Sequence, residues 1–190
     1  MEDEQSSSNF NIIEYSSNLV KQTKQIDEKN FIFIGDNKSG KTTVFNLIFS
    51  NKKEKDTKYI QTCGINFNNA SVSFSNLNRK ILLNGYELGG NVENTQLIKN
   101  IVFENNISNT TFVLIIDLSK PEIMLKIINQ TLKIIGESLS QNISTETLQM
   151  MAKSKEHKLR TKSDSNICEF VPWNLCIIGS KYDLFEKNDV

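Results

Sequence analysis

Eight residues, Gly35-Asp36-Asn37-Lys38-Ser39-Gly40-Lys41-Thr42, have the types and spacing needed to grip a phosphate chain. They fit the pattern G-x-x-x-x-G-K-[ST] and follow directly on the apolar run Phe31–Ile34, the strand-loop-helix setting in which that pattern has a mechanism. The glycines let the backbone curl so that successive N–H groups face phosphate oxygens. A helix starting near Lys41 adds its positive end. Lys41 is placed to reach the outer phosphates and Thr42 to hold Mg²⁺, with Thr43 carrying the loop into the helix. A plain turn rich in Gly and Ser is the alternative, and both pattern and context argue against it.

Three other short strings fall where GTPase-like proteins keep the rest of a nucleotide site. Thr62-Cys63-Gly64 precedes a strand, the place of a threonine whose hydroxyl closes on Mg²⁺. Glu87-Leu88-Gly89-Gly90-Asn91 stands where GTPases carry Asp-x-x-Gly-Gln, with Gly90 retained to donate its N–H to the last phosphate. Glu87 is one methylene longer than the Asp that serves the metal. Asn91 is one shorter than the Gln that orients the attacking water, so it falls short of that water. Positioning supplies most of phosphoryl-transfer catalysis, and turnover should suffer accordingly. Arg79 lies at the far end of its strand and offers no substitute. Ser180-Lys181-Tyr182-Asp183 occupies the place of Asn-Lys-x-Asp. There Asp183 can accept two hydrogen bonds from guanine and the Lys181 stem can lie across the base. Ser180 is a weaker brace than Asn.

The elements that must position these residues alternate along the chain. Apolar runs at Phe31–Ile34, Thr111–Ile116 and Leu175–Ile178 read as buried strands. Ile65–Phe74 and Lys80–Leu83 read as two more, joined by a turn at Ser75–Asn78. Lys41–Ser50 reads as a helix with Val44, Phe45, Leu47 and Ile48 inward, and Glu93–Phe103 as another. A long helix opens at Pro121, with Met124, Leu125, Ile128, Leu132, Ile135 and Leu139 on its apolar face. Upstream, Met1–Asn9 is acidic and Ser-rich, a composition expected to be disordered, and Ile12, Tyr15, Leu19 and Ile26 recur at helical spacing. Asn51–Lys58 is a polar loop. Gln141–Asn166 reads as a polar insertion carrying Lys153, Lys155, Lys158, Arg160 and Lys162. Strands and helices alternating around a phosphate loop imply an α/β fold, a mostly parallel sheet with helices on both faces and ligands at the carboxyl ends of the strands. The expected division is a tail and short helix over 1–29 and a P-loop domain over 30–190 with the insertion at 141–166.

Composition narrows the class. At 190 residues the chain suits one domain with a real core. Lys+Arg and Asp+Glu balance at 22 each, giving no global field toward nucleic acid or an anionic membrane. No 18-residue apolar stretch exists, and the acidic start Met1-Glu2-Asp3-Glu4 lacks the positive charge of a signal peptide. The expectation is a soluble, non-secreted protein with no membrane insertion. Cys63, Cys168 and Cys176 share no metal or redox spacing and read as reduced thiols. His157 is the only histidine, which leaves little room for a His-based metal site.

Taken together, Asn30–Thr43, Tyr86-Glu87-Leu88-Gly89-Gly90, Asp117-Leu118-Ser119-Lys120-Pro121 and Pro172–Phe185 resemble the dynein light intermediate chain family, in particular its cytoplasmic dynein 2 branch. The resemblance runs from about Lys29 to Phe185, loosely over Gln141–Asn166, and includes the departures at Glu87 and Ser180. It implies a Ras-like GTPase fold and a non-catalytic subunit that binds dynein heavy chain alongside other dynein subunits. It also implies work in retrograde intraflagellar transport and cilium assembly, in the cytoplasm, the cytoskeleton and the cilium (axoneme and basal body). GTP or GDP with Mg²⁺ is the implied ligand. A GTPase-like fold also calls for a further strand and closing helix, about 30 residues, beyond Val190. Two other functions stay open on the residues: a small GTPase switch hydrolysing GTP slowly, and an ATPase or kinase, for which Asp183 has no use.

Overall fold

The computed structural model describes residues 27–49, 62–74, 79–159 and 171–188. The expected acidic tail, the helix over Ile12–Ile26, the loop Asn51–Lys58, the turn Ser75–Asn78 and the insertion beyond Leu159 lie outside the described residues.

Among the described residues, five strands form one sheet in the order β2-β3-β1-β4-β5. They are β1 (Asp27–Gly35), β2 (Ile65–Phe74), β3 (Arg79–Leu88), β4 (Thr110–Asp117) and β5 (Asn174–Ser180). β1 runs parallel to β3 and β4, and β4 parallel to β5, while β2 alone is antiparallel, paired with β3 from Ile65–Leu88 to Phe74–Arg79. The helices are α1 (Lys41–Phe49), α2 (Pro121–Leu139), α3 (Thr145–Leu159) and α4 (Tyr182–Asn188), with 3₁₀ helices at Val92–Asn100 and Ile107–Asn109. Central strands buried on both faces need apolar residues in unbroken runs, and Thr110–Asp117 supplies one, with Phe112, Leu114 and Ile115 fully buried.

Alternation along β1 splits the core in two. Ile32 and Ile34 face a cluster with Leu88, Ile98, Phe112, Ile135, Leu139 and Trp173, capped by α2, the 3₁₀ helix Val92–Asn100 and part of α3. Phe33 faces the other side with Val113 and Ile115, where Phe45 and Phe49 of α1 meet it edge-on at 5.5 and 6.0 Å. The Phe49 ring lies so close to β3 that a Cβ on Gly85 would sit 2.5 Å from it, which explains a glycine in mid-strand.

Several element readings change. The inward face of α1 is Phe45 and Phe49; Leu47 is 73% exposed and Ile48 half-exposed, because the i, i+4 aromatic pair sets the phase. The strand expected at Lys80–Leu83 extends to Leu88, since polar Asn84 pairs with Asn30 of β1 at 3.1 Å instead of ending the strand. The stretch expected as a helix from Glu93 is a 3₁₀ helix at Val92–Asn100. In α2 the buried face is Ile127, Thr131, Ile135, Ser138 and Leu139, while Leu125 is 70% exposed. Residues 145–159 of the supposed insertion form α3, which packs Leu148 and Met151 on the core. Its Lys155 donates to the Trp173 carbonyl, and burial pulls that ammonium below the ordinary lysine range.

Candidate nucleotide site

The loop between β1 and α1 curls at the carboxyl end of the sheet, where Lys38 takes a left-handed backbone (φ 60°) and Val44 N donates to Gly40 O to start the helix. Asn37–Thr43, with Thr62, Glu87, Gly89 and Gly90, line a cleft of about 230 Å³. The sequence strings around Gly35, Thr62 and Glu87 thus converge on one cleft.

At its base the Lys41 ammonium spends its three N–H bonds on backbone carbonyls: Gly35 at 3.0 Å, Asp36 at 2.8 Å and Gly90 at 2.8 Å. Lys41 thereby ties the phosphate loop to the Gly89-Gly90 loop. Desolvation draws its pKa below the ordinary lysine value, against the opposing pull of the Glu87 and Asp36 charges.

Glu87 is fully buried at the end of β3. Its carboxylate accepts from the Thr42 hydroxyl, from the Thr62 hydroxyl at 2.7 Å and from the Asn66 amide at 3.3 Å. The extra methylene relative to Asp lets one carboxylate reach both hydroxyls. The Thr62 segment is fastened by backbone as well: Gly89 N donates to Gly64 O at 2.7 Å, and a Cβ on Gly89 would fall 2.0 Å from the Thr62 carbonyl. Only glycine permits that approach.

The Ser180-Lys181 turn closes the other side. The Ser180 hydroxyl lies 2.6 Å from the Ser39 carbonyl and 3.0 Å from that of Ile116, its single proton serving the two. Ser180 thereby braces the phosphate loop through one hydroxyl. Lys181 adopts a left-handed backbone (φ 56°) and turns its ammonium to Asp117 at 2.6 Å. Desolvation opposes ionisation of Asp117, but hydrogen bonds from Lys181 and Ser119 and the Lys181 charge outweigh it and hold its carboxyl below the usual range.

Of the expected site residues, Gly35, Asp36, Lys181 and Asp183 do not line the cleft: Asp36 lines a separate cavity with the exposed Asn91 and Lys126, and Asp183 is exposed in the first turn of α4. Sequence reasoning missed Asn66 and Asn94, whose amides hold Glu87 and the Gly89 carbonyl, and gave Asp117 no role. The register pairing Asn66 with Glu87 across β2 and β3 was the available signal.

A mostly parallel sheet with a loop of the phosphate-binding pattern at the end of its first strand and helices on both faces defines an α/β domain of the GTPase-like fold class. The family model for the dynein light intermediate chain (DLIC) matches residues 7–169, and the chain belongs to that family. Among curated proteins, cytoplasmic dynein 2 light intermediate chain 1 of Bos taurus is 26% identical over 172 residues, covering 87% of this chain and 48% of that protein. Its counterparts from Mus musculus and Danio rerio are each 25% identical, over 172 and 170 residues, with 87% and 85% of this chain covered and 48% and 46% of theirs. The chain spans about half the length of these relatives. A solved crystal structure, that of the dynein light intermediate chain's conserved domain, superposes with a TM-score of 0.59 at 16% identity, over 87% of this chain and 59% of that one, and bears out the Ras-like fold.

Proposed function

We propose that this chain is a non-catalytic light intermediate chain subunit of the cytoplasmic dynein 2 motor. It binds dynein heavy chain among the other dynein subunits and supports retrograde intraflagellar transport and cilium assembly from the cytoplasm, the cytoskeleton and the cilium, at axoneme and basal body. Family membership and relatives named for dynein 2 support this reading. One feature of the site favours a subunit over a turnover enzyme: Asn91, at the water-orienting position, faces a cavity apart from the phosphate cleft.

The cleft suits a guanine nucleotide, GTP or GDP, held by the loop Gly35–Thr43 and Gly90, with Lys181 and Asp183 toward the base. To admit the outer phosphates, the Lys41 ammonium exchanges one carbonyl for a phosphate oxygen. The oxygens of Thr42, Thr62 and Glu87 are the hard donors Mg²⁺ prefers, and each hydroxyl that donates to Glu87 keeps lone pairs free for a cation. When bound, Mg²⁺ neutralises phosphate charge. Because nucleotide binds only the folded chain, it acts as a structural ligand that ties the loops around Gly35, Thr62 and Gly90 together.

Mixing the purified chain with the heavy-chain tail of dynein 2 from the same organism tests the reading. Co-elution on gel filtration is expected, and separate elution of two folded proteins refutes it.

A further inference from the structure

The end of β4 is tied to the start of α4 by an ion pair. Asp117 is the last residue of β4 and pairs in register with Ser180, the last of β5. Ser119 donates to one oxygen of the Asp117 carboxylate, by its backbone N–H at 3.1 Å and its hydroxyl at 2.6 Å. The other oxygen is thereby aimed at the Lys181 ammonium, 2.6 Å away. The Asp117 side chain is 8% exposed and that of Lys181 32%, so solvent and salt screen the pair less than one on the open surface. Leu118 closes the junction: its N–H donates to Ser180 O at 3.1 Å, and a Cβ on Gly179 would lie 2.7 Å from its side chain.

The turn after β5 depends on such a tie. Lys181 holds a left-handed backbone, φ 56°, which a residue with a Cβ keeps only where its surroundings impose it. Ser180 has one proton to divide between Ser39 O and Ile116 O, fewer bonds than the amide of an Asn would bring. The Lys181 carbonyl in turn accepts from Leu184 N at 3.0 Å and Phe185 N at 3.3 Å, the bonds that open α4. Its position therefore sets the helix whose first turn carries Asp183. On the other side the turn abuts the phosphate loop, where a Cβ on Gly40 would stand 3.5 Å from that of Ser180.

We infer that Asp117 is a positioning residue for base recognition: it anchors the Lys181 ammonium and, through Lys181, aligns both the lysine stem and the Asp183 carboxylate with a guanine ring. Asp117 acts through Lys181 and not on the nucleotide. The inference rests on a guanine nucleotide being the occupant of the cleft, and it names the residue outside the turn on which the preference for guanine depends.

Competition of GDP and of ADP against fluorescent GDP on the full chain with Mg²⁺ tests it, with the melting temperature of each variant recorded. Asp117→Asn keeps the shape of the side chain and an acceptor for Ser119 while losing the charge. It should weaken GDP about tenfold, the scale of one charge-assisted contact, and leave ADP unchanged. Lys181→Met keeps an apolar stem without the ammonium, at a partly exposed side chain where the change is too mild to unfold the chain, and should lose the same preference. The double variant should be no worse than either single one, because the two residues act as one tie. Equal weakening of GDP and ADP by Asp117→Asn overturns the inference and leaves Asp117 a stabiliser of the fold alone. Losses that add in the double variant overturn it as well. A parent chain that shows no preference for GDP overturns the guanine reading of the cleft itself, and the inference falls with it.

Discussion

Replacing Glu87 by alanine should cost this fold more than any other single change at the cleft. The side chain is fully buried and accepts from Thr42, Thr62 and Asn66, and its charge faces the buried Lys41 ammonium. Removing one partner of a buried charged network leaves an uncompensated ion, at about 3–5 kcal/mol. For a domain of this size each kcal/mol lowers Tm by about 2–4 °C, so Glu87→Ala should melt roughly 10 °C below the parent. Glu87→Gln keeps the shape and one acceptor while losing the charge, and should fall between. Thr62→Val removes one donor and should cost about 1 kcal/mol. The single tryptophan, Trp173, is buried and gives an intrinsic fluorescence signal for urea unfolding. A Glu87→Ala chain within 0.5 kcal/mol of the parent would refute the network.

Other consequences are open to simpler assays. Lys41→Ala should weaken fluorescent GDP binding by about 10- to 100-fold, the loss of one charge-assisted contact, and equal binding would remove Lys41 from the site. Asp183→Ala should weaken guanine but not adenine nucleotides in competition, and equal losses would deny it a role at the base. Asp117 has a carboxyl pKa below its ordinary value, so it stabilises the fold above about pH 4 and loses that contribution as pH falls through the lowered value. Asp117→Asn should flatten the acid limb of a stability-against-pH curve, and an unchanged limb would place the titration elsewhere. GTP turnover with Mg²⁺ should be at or below about 10⁻⁴ s⁻¹, and a rate near 1 s⁻¹ would restore the enzyme reading.

Sequence carried the sheet and the loop because their physics is local. The unbroken run Thr111–Ile116 has few uses other than a strand buried on both faces, and the Gly35–Thr42 spacing encodes its own backbone. What sequence did not carry depends on partners distant in the chain. Leu47 and Ile48 look like core until Phe45 and Phe49 claim the face toward Phe33. The polar stretch around Thr145 looks like an insertion until Glu104 accepts from Ser144 and Thr147 at its start, and Leu148 and Met151 find the core. At the site, Lys181 points to Asp117 because a residue 64 positions away offers a carboxylate at 2.6 Å.

Isolating the tagged chain from its own cells and quantifying co-purified heavy chains by mass spectrometry tests the central claim most directly. The account predicts dynein 2 heavy chain in near-stoichiometric amount, retained when Asn91→Ala replaces the native residue. Recovery of the folded chain without any dynein heavy chain would contradict it.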